Sequence, residues 1–130
     1  MAWLVRGGEV LATAEIASTR ASRRRGVLGR DGIEGVLVLR PCRQVHTIGV
    51  RFALDVAWCA ADGRVLRVAT MPPFRVSRPV VRARFVIEAR SGAAARWRLA
   101  LGDIVEIVDG VQGDPASEPP DAGAAGSGDG

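Results

Sequence analysis

The 130-residue chain contains no lysine, tyrosine or asparagine, only one histidine and two cysteines. Two cysteines are too few for a disulfide framework or a four-ligand zinc site. In a reducing compartment both are expected as thiols, with Cys59 a small buried hydrophobe at the end of a strand. Cys42-x-x-x-His46 has a spacing that suits two metal ligands. With one His and no second Cys pair, however, neither a metal nor another cofactor is expected. Three Trp and three Phe are few for a surface that stacks on nucleic-acid bases. No run reaches the roughly 18 apolar residues that a membrane span needs, and no membrane partner is expected. Arg6 interrupts the opening apolar residues before a secretory core of about 7 residues can form. The expectation is a cytoplasmic protein.

What is present is ordinary for one soluble globular domain: 48% apolar and 25% charged residues. Arginine supplies every side-chain cation, and the residues that are missing have AT-rich codons. Most arginines therefore stand where another genome would spell lysine, on a solvated surface. Asp114, Glu118, Asp121 and Asp129 fall in a terminal stretch of Gly, Ala, Pro and Ser with nothing to bury, so 114–130 is expected to stay disordered. Residues 1–113 then form the domain and carry +8, against +4 for the whole chain. Such a field attracts polyanions, and the acidic tail is positioned in sequence to shield it.

Turn chemistry divides the domain into short strands. Gly7-Gly8 joins strands at 2–6 and 9–17 as a hairpin. Ser18 is placed to cap a short helix that ends at Gly26, its Arg23-Arg24-Arg25 compensating the helix dipole. Gly35–Leu39 is a continuous apolar run, as in a strand covered on both faces. In 52–58, Phe52, Leu54, Val56 and Trp58 alternate with Ala53, Asp55 and Ala57. Asp62-Gly63 turns this strand into one over 65–70. Over 80–90, Val81, Ala83, Phe85, Ile87 and Ala89 read as inward, with Arg82, Arg84, Glu88 and Arg90 outward on a solvated face. Ser91 is placed to cap a helix over 93–101, with Trp97 and Leu101 buried, and 103–108 is a last strand. About eight short strands and one or two short helices predict a mainly β (α+β) domain, a sandwich or barrel rather than alternating β-α-β units.

The polar residues collect in 45–55. On one straight strand Thr47, Arg51 and Asp55 share a face about 13 Å apart, at about 3.3 Å per residue, with His46 on the other. A bend at Gly49 is needed to bring His46 and Thr47 to the side of Asp55. Asp55 lies between Ala53 and Ala57 and is expected to be buried, hence paired or hydrogen-bonded. Arg30, Arg51 and the backbone near Gly26 or Gly49 are its candidate partners. Two readings stand: a carboxylate stapling loops through backbone donors, or a group contacting a ligand or moving a proton.

These segments resemble the family known as domain of unknown function 192, over about Leu11 to Val108. Gly26-Val27-Leu28-Gly29-Arg30 is similar to the family's Gly-Leu-Met-x-Arg block, and Gly35-Val36-Leu37 to its Gly-Met-Leu. His46-Thr47, Leu54-Asp55, Gly63-Arg64-Val65, Val86-Ile87-Glu88 and Gly102-Asp103 match later blocks in order. The chain departs at Val27, Val36 and Val50, where Met or Leu is common, at Ala53 for Pro, and at His46 for Asn. The resemblance implies a sandwich-like, mainly β domain of a prokaryotic family without an assigned activity.

The leading functional reading is a small non-enzymatic binding or accessory domain. Its polar groove, between the Gly26–Arg30 loop and 46–55, would hold a small anionic ligand or a partner peptide through Arg30, His46, Thr47, Arg51 and Asp55. One alternative is an acid–base or hydrolytic enzyme using Asp55 and His46, which must then lie within about 3 Å or share a water. The other is sequence-independent nucleic-acid binding through Arg23, Arg24, Arg25, Arg82 and Arg84. No phosphate loop, nucleophile elbow or metal-ligand set is present.

Overall fold

Gly7 and Gly8 take φ angles of 58° and 82°, a region that side chains disfavour. They fold β1 (Ala2–Arg6) back on β2 (Glu9–Ala17) as the expected antiparallel hairpin. The computed structural model describes residues 1–110, so the tail expected to be disordered lies outside the described residues. After β2 the chain crosses over, and β3 (Val36–Leu39) runs parallel to β2. The crossover carries α1 (Arg20–Arg25). Its cap is Thr19 rather than Ser18, because Ser22 reciprocates: the Thr19 hydroxyl accepts from the Ser22 N–H, and the Ser22 hydroxyl from the Thr19 N–H.

The hairpin of β4 (Leu54–Cys59) and β5 (Val65–Met71) follows, then β6 (Phe85–Arg90), α2 (Ala93–Arg96) and β7 (Glu106–Asp109). The seven strands form one sheet in the order β5-β4-β6-β3-β2-β1-β7, antiparallel except at β2–β3. The mainly β architecture with two short helices is the one the sequence predicts. The sheet does not close. It curls until the chain entering β7 meets the start of β5, where Val65 N–H donates to Asp103 O and Val105 N–H to Gly63 O.

Both faces are buried at the centre of the sheet. All side chains of β3 and β4 are inside. On one face Leu37, Leu39, Val56 and Val86 meet Val27 and Ile33 of the crossover and Val45 and Val50 of the segment before β4. On the other, Val36, Val38, Ala57 and Ile87 meet Ala93 and Val105.

Three element boundaries also change. The second helix spans 93–96, not 93–101, because Arg98 turns to a φ of 53°; Leu101 is consequently exposed, although Trp97 is half-buried. β6 starts at Phe85 after a turn closed from Ala83 N–H to Val80 O, which leaves Val81 78% exposed rather than inward. The last strand begins at Glu106, since 102–105 bond to the start of β5.

Candidate functional site

Glu88 sits in the middle of the sheet, opposite Leu37 of β3 and Val56 of β4. The pleat puts it with Val86, on the face covered by the crossover. It is 3% exposed, and its Oε1 has no hydrogen-bond partner. Arg30 acts on it through space, but the Arg30 guanidinium is held bidentately by Glu15 at 3.1 and 2.9 Å. Burial therefore prevails and pushes the Glu88 carboxyl up to about 7, Arg30 opposing in part. The alternation in 80–90 assigns Glu88 outward; the structure corrects this. The signal was Val86, an apolar residue two positions away on the supposedly solvated face.

A cavity of about 420 Å³ lies over this carboxyl. The sheet contributes Leu39 and Glu88, the crossover contributes Gly26, Val27 and Leu28, and the segment after β3 contributes Cys42, Val45 and His46. Gly26 turns the crossover backbone at a φ of 49°, which side chains disfavour, while a Cβ there would meet Glu88 Oε1 and Arg23 O only at ordinary contact, 3.9 and 3.8 Å. Arg20, Arg23, Arg24, Arg25 and Arg43 also line the cavity. None of the five has a carboxylate partner among the described residues. Arg23 donates to Ser18 O at 2.7 Å and Arg43 to Ala83 O at 3.2 Å, which anchors both while each guanidinium keeps further donors. Cys42 donates to Gln44 O, and burial pushes its thiol up. Cys59 is fully buried, and its thiol is pushed up to about 12 by the same cause. Neither sulfur is an activated nucleophile. His46 is exposed, its Nδ1 accepting from the Ile48 N–H at 3.2 Å.

Asp55 is buried, as expected, but on the opposite face of the sheet. Its Oδ1 accepts from the Thr70 hydroxyl at 2.7 Å. Its Oδ2 accepts from the Gly92 and Ala94 N–H groups at 2.9 and 3.0 Å. No arginine pairs with it: Arg30 is taken by Glu15, and Arg51 pairs with Asp31 on the surface. Asp55 instead caps α2, whose N-cap residue Gly92 has no side chain to offer and whose predicted cap, Ser91, lies one residue early. Asp55 thus staples backbone, the first of its two readings. Because His46 lines the cavity on the other face, the Asp55–His46 acid–base pair does not form.

Thr47 is fully buried and fully engaged. Its hydroxyl donates to Pro72 O at 2.6 Å and accepts from the Arg75 N–H at 2.8 Å. The chain does bend at Gly49, where Val50 N–H closes on Thr47 O. That bend carries Thr47 to the 72–76 loop, not to Asp55. Of Arg30, His46, Thr47, Arg51 and Asp55, only His46 lines the Glu88 cavity. Among the described residues no three His, Cys, Asp or Glu side chains converge to hold a metal ion, and no helix is long and apolar enough to cross a membrane.

Fold and site together define a small β domain whose single sheet is covered by one crossover, with a cavity between the crossover and the sheet. The chain belongs to the DUF192 family, described as uncharacterised ACR, whose profile matches residues 3–107. No curated protein matches the chain. Among solved structures, it is similar to a protein of unknown function from Novosphingobium aromaticivorans, with a TM-score of 0.69 and 23% identity over 81% of this chain and 82% of the other. It is also similar to a Sinorhizobium meliloti protein called a "putative transcription regulator", with a TM-score of 0.67 and 20% identity over 81% of this chain and 90% of the other. At these identities the likeness shows the fold alone. The Gly26–Arg30, His46-Thr47 and Val86–Glu88 blocks of the family pattern each place at least one residue on the cavity.

Proposed function

We propose that the protein is a small non-enzymatic binding domain that takes a small anionic ligand into the Glu88 cavity. The observation that carries this reading is the set of five arginines, Arg20, Arg23, Arg24, Arg25 and Arg43, lining the cavity without carboxylate partners among the described residues. Guanidinium groups left unpaired around a concave, partly apolar site are donors for phosphate or carboxylate oxygens. A volume of about 420 Å³ suits a small molecule rather than a folded partner. The ligand site proposed from the sequence thus moves from Arg30, Thr47, Arg51 and Asp55 to α1, Arg43 and Glu88, with His46 retained.

Acid–base catalysis has one observation in its favour, a carboxyl that titrates near neutrality inside a cavity. The cavity's one thiol, Cys42, is pushed up by burial and supplies no activated nucleophile. Calorimetric titration of the full chain with phosphate and with citrate tests the binding reading. Saturable binding is expected, weakened about tenfold or more by the pair Arg23→Ala and Arg43→Ala. Absence of heat at millimolar anion with the wild type refutes it.

A further inference from the structure

Arginines alone do not account for this cavity. A buried carboxylate oxygen without a donor is costly, and Glu88, whose Oε1 is that oxygen, lines the same cavity as the arginines. A ligand that is only an anion leaves that oxygen unsatisfied and, when Glu88 is ionised, is repelled by it. Arg30, the nearby cation, does not supply the donor, because Glu15 takes its guanidinium on both oxygens. The two chemistries are also close together. Glu88, Arg23, Arg24 and Arg43 line one cavity of about 420 Å³, as does Gly26 at the C-terminal end of α1. One small molecule therefore reaches both the end of α1 and the carboxyl.

We propose that the cavity is a site for zwitterionic small molecules, with an ammonium group seated on Glu88 and a phosphate or carboxylate held by Arg23, Arg24 and Arg43. The proposal rests on the anion-binding reading above and adds the second recognition group. An ammonium at Oε1 fills the orphan acceptor and forms a charge-assisted hydrogen bond inside the protein, where such bonds are strong. It also favours the ionised carboxyl. Since Glu88 titrates at about 7, seating the ammonium at pH 7 releases about half a proton.

The test is calorimetry on the full chain with two probes that share an anion and differ by an amine, O-phosphoethanolamine and ethyl phosphate. The amine-bearing probe is expected to bind about tenfold tighter or better. At pH 7 its heat is expected to carry a proton-release component, read from its dependence on the ionisation enthalpy of the buffer, that Glu88→Gln removes. Glu88→Gln is expected to bring the two affinities together by weakening O-phosphoethanolamine alone. Equal affinities in the wild type overturn the zwitterion site and leave the anion reading standing. A preference for the amine that survives Glu88→Gln overturns the seat on Glu88. If neither probe binds at millimolar concentration, both readings fall.

Discussion

Two carboxylates in the middle of the sheet meet opposite fates. Asp55 has three donors within 3.0 Å, while one oxygen of Glu88 has none. Glu88 is where pH acts. Its folded value is raised from the usual 4.5 to about 7, so between those values the unfolded chain gives up its proton while the folded chain keeps it. Below 4.5 both states are protonated and Glu88 costs nothing. Stability therefore falls as pH rises through this window, by on the order of 3 kcal/mol in total, and the loss is complete above about 7. Glu88→Gln is expected to be more stable than the wild type in urea at pH 8 and equal to it near pH 4. Equal stability at pH 8 would show that the carboxyl is not desolvated. For Asp55→Ala the sign is reversed, because two N–H groups of α2 lose their acceptor. A loss of about 3 kcal/mol is expected in the urea midpoint at unchanged m-value. The burial of Asp55 was legible in the alternation of 52–58. Its partners were not, since Gly92 and Ala94 lie 37 and 39 residues away.

Elements whose shape is set by neighbouring residues were legible, and those set by distant ones were not. The β1–β2 and β4–β5 hairpins follow from Gly7-Gly8 and Asp62-Gly63, where the turn residues themselves dictate the backbone. The parallel β2–β3 pair is invisible locally, because a crossover of 18–35 separates the two strands and no turn residue links them. The Ala-rich stretch after Ser91 has helical composition, yet α2 ends after four residues as Arg98 turns the chain away. Between elements, Thr47 holds the 46–50 turn to the 72–76 loop through its backbone, bonded to Arg75 O and Phe74 N–H, and through one hydroxyl that both donates and accepts. Thr47→Val keeps the volume and orphans the Arg75 N–H. It is expected to cost about 2 kcal/mol and to speed amide exchange at Arg75 and Phe74. Unchanged exchange there would mean that the loop is held by other contacts.

Across the whole molecule, the curl of the sheet decides which surfaces are covered. The chain entering β7 reaches the start of β5 at Gly63, where the φ is 91° and a Cβ would overlap the Val105 carbonyl oxygen. Gly63→Ala is expected to destabilise the domain by about 3 kcal/mol or more, combining overlap with backbone strain. Loss of amide protection at Val65 and Val105 is the measurement that checks it, and full protection in the variant would contradict this account of the curl. The crossover covers the opposite side, and it is what turns an arginine-rich helix into one wall of a cavity. Neither helix, at six and four residues, has the length of a helix that reads a DNA groove.

Period-two patterning, glycine turns and an apolar β3 were enough to specify a mainly β chain and its hairpins, because those signals act over two to four residues. The site was decided in three dimensions. Glu88 is inside because a crossover far away in sequence covers its face of β6, and Asp55 is a helix cap because α2 comes to rest against β4. A residue's side of a strand is a local property. What covers that side is a property of the whole sheet.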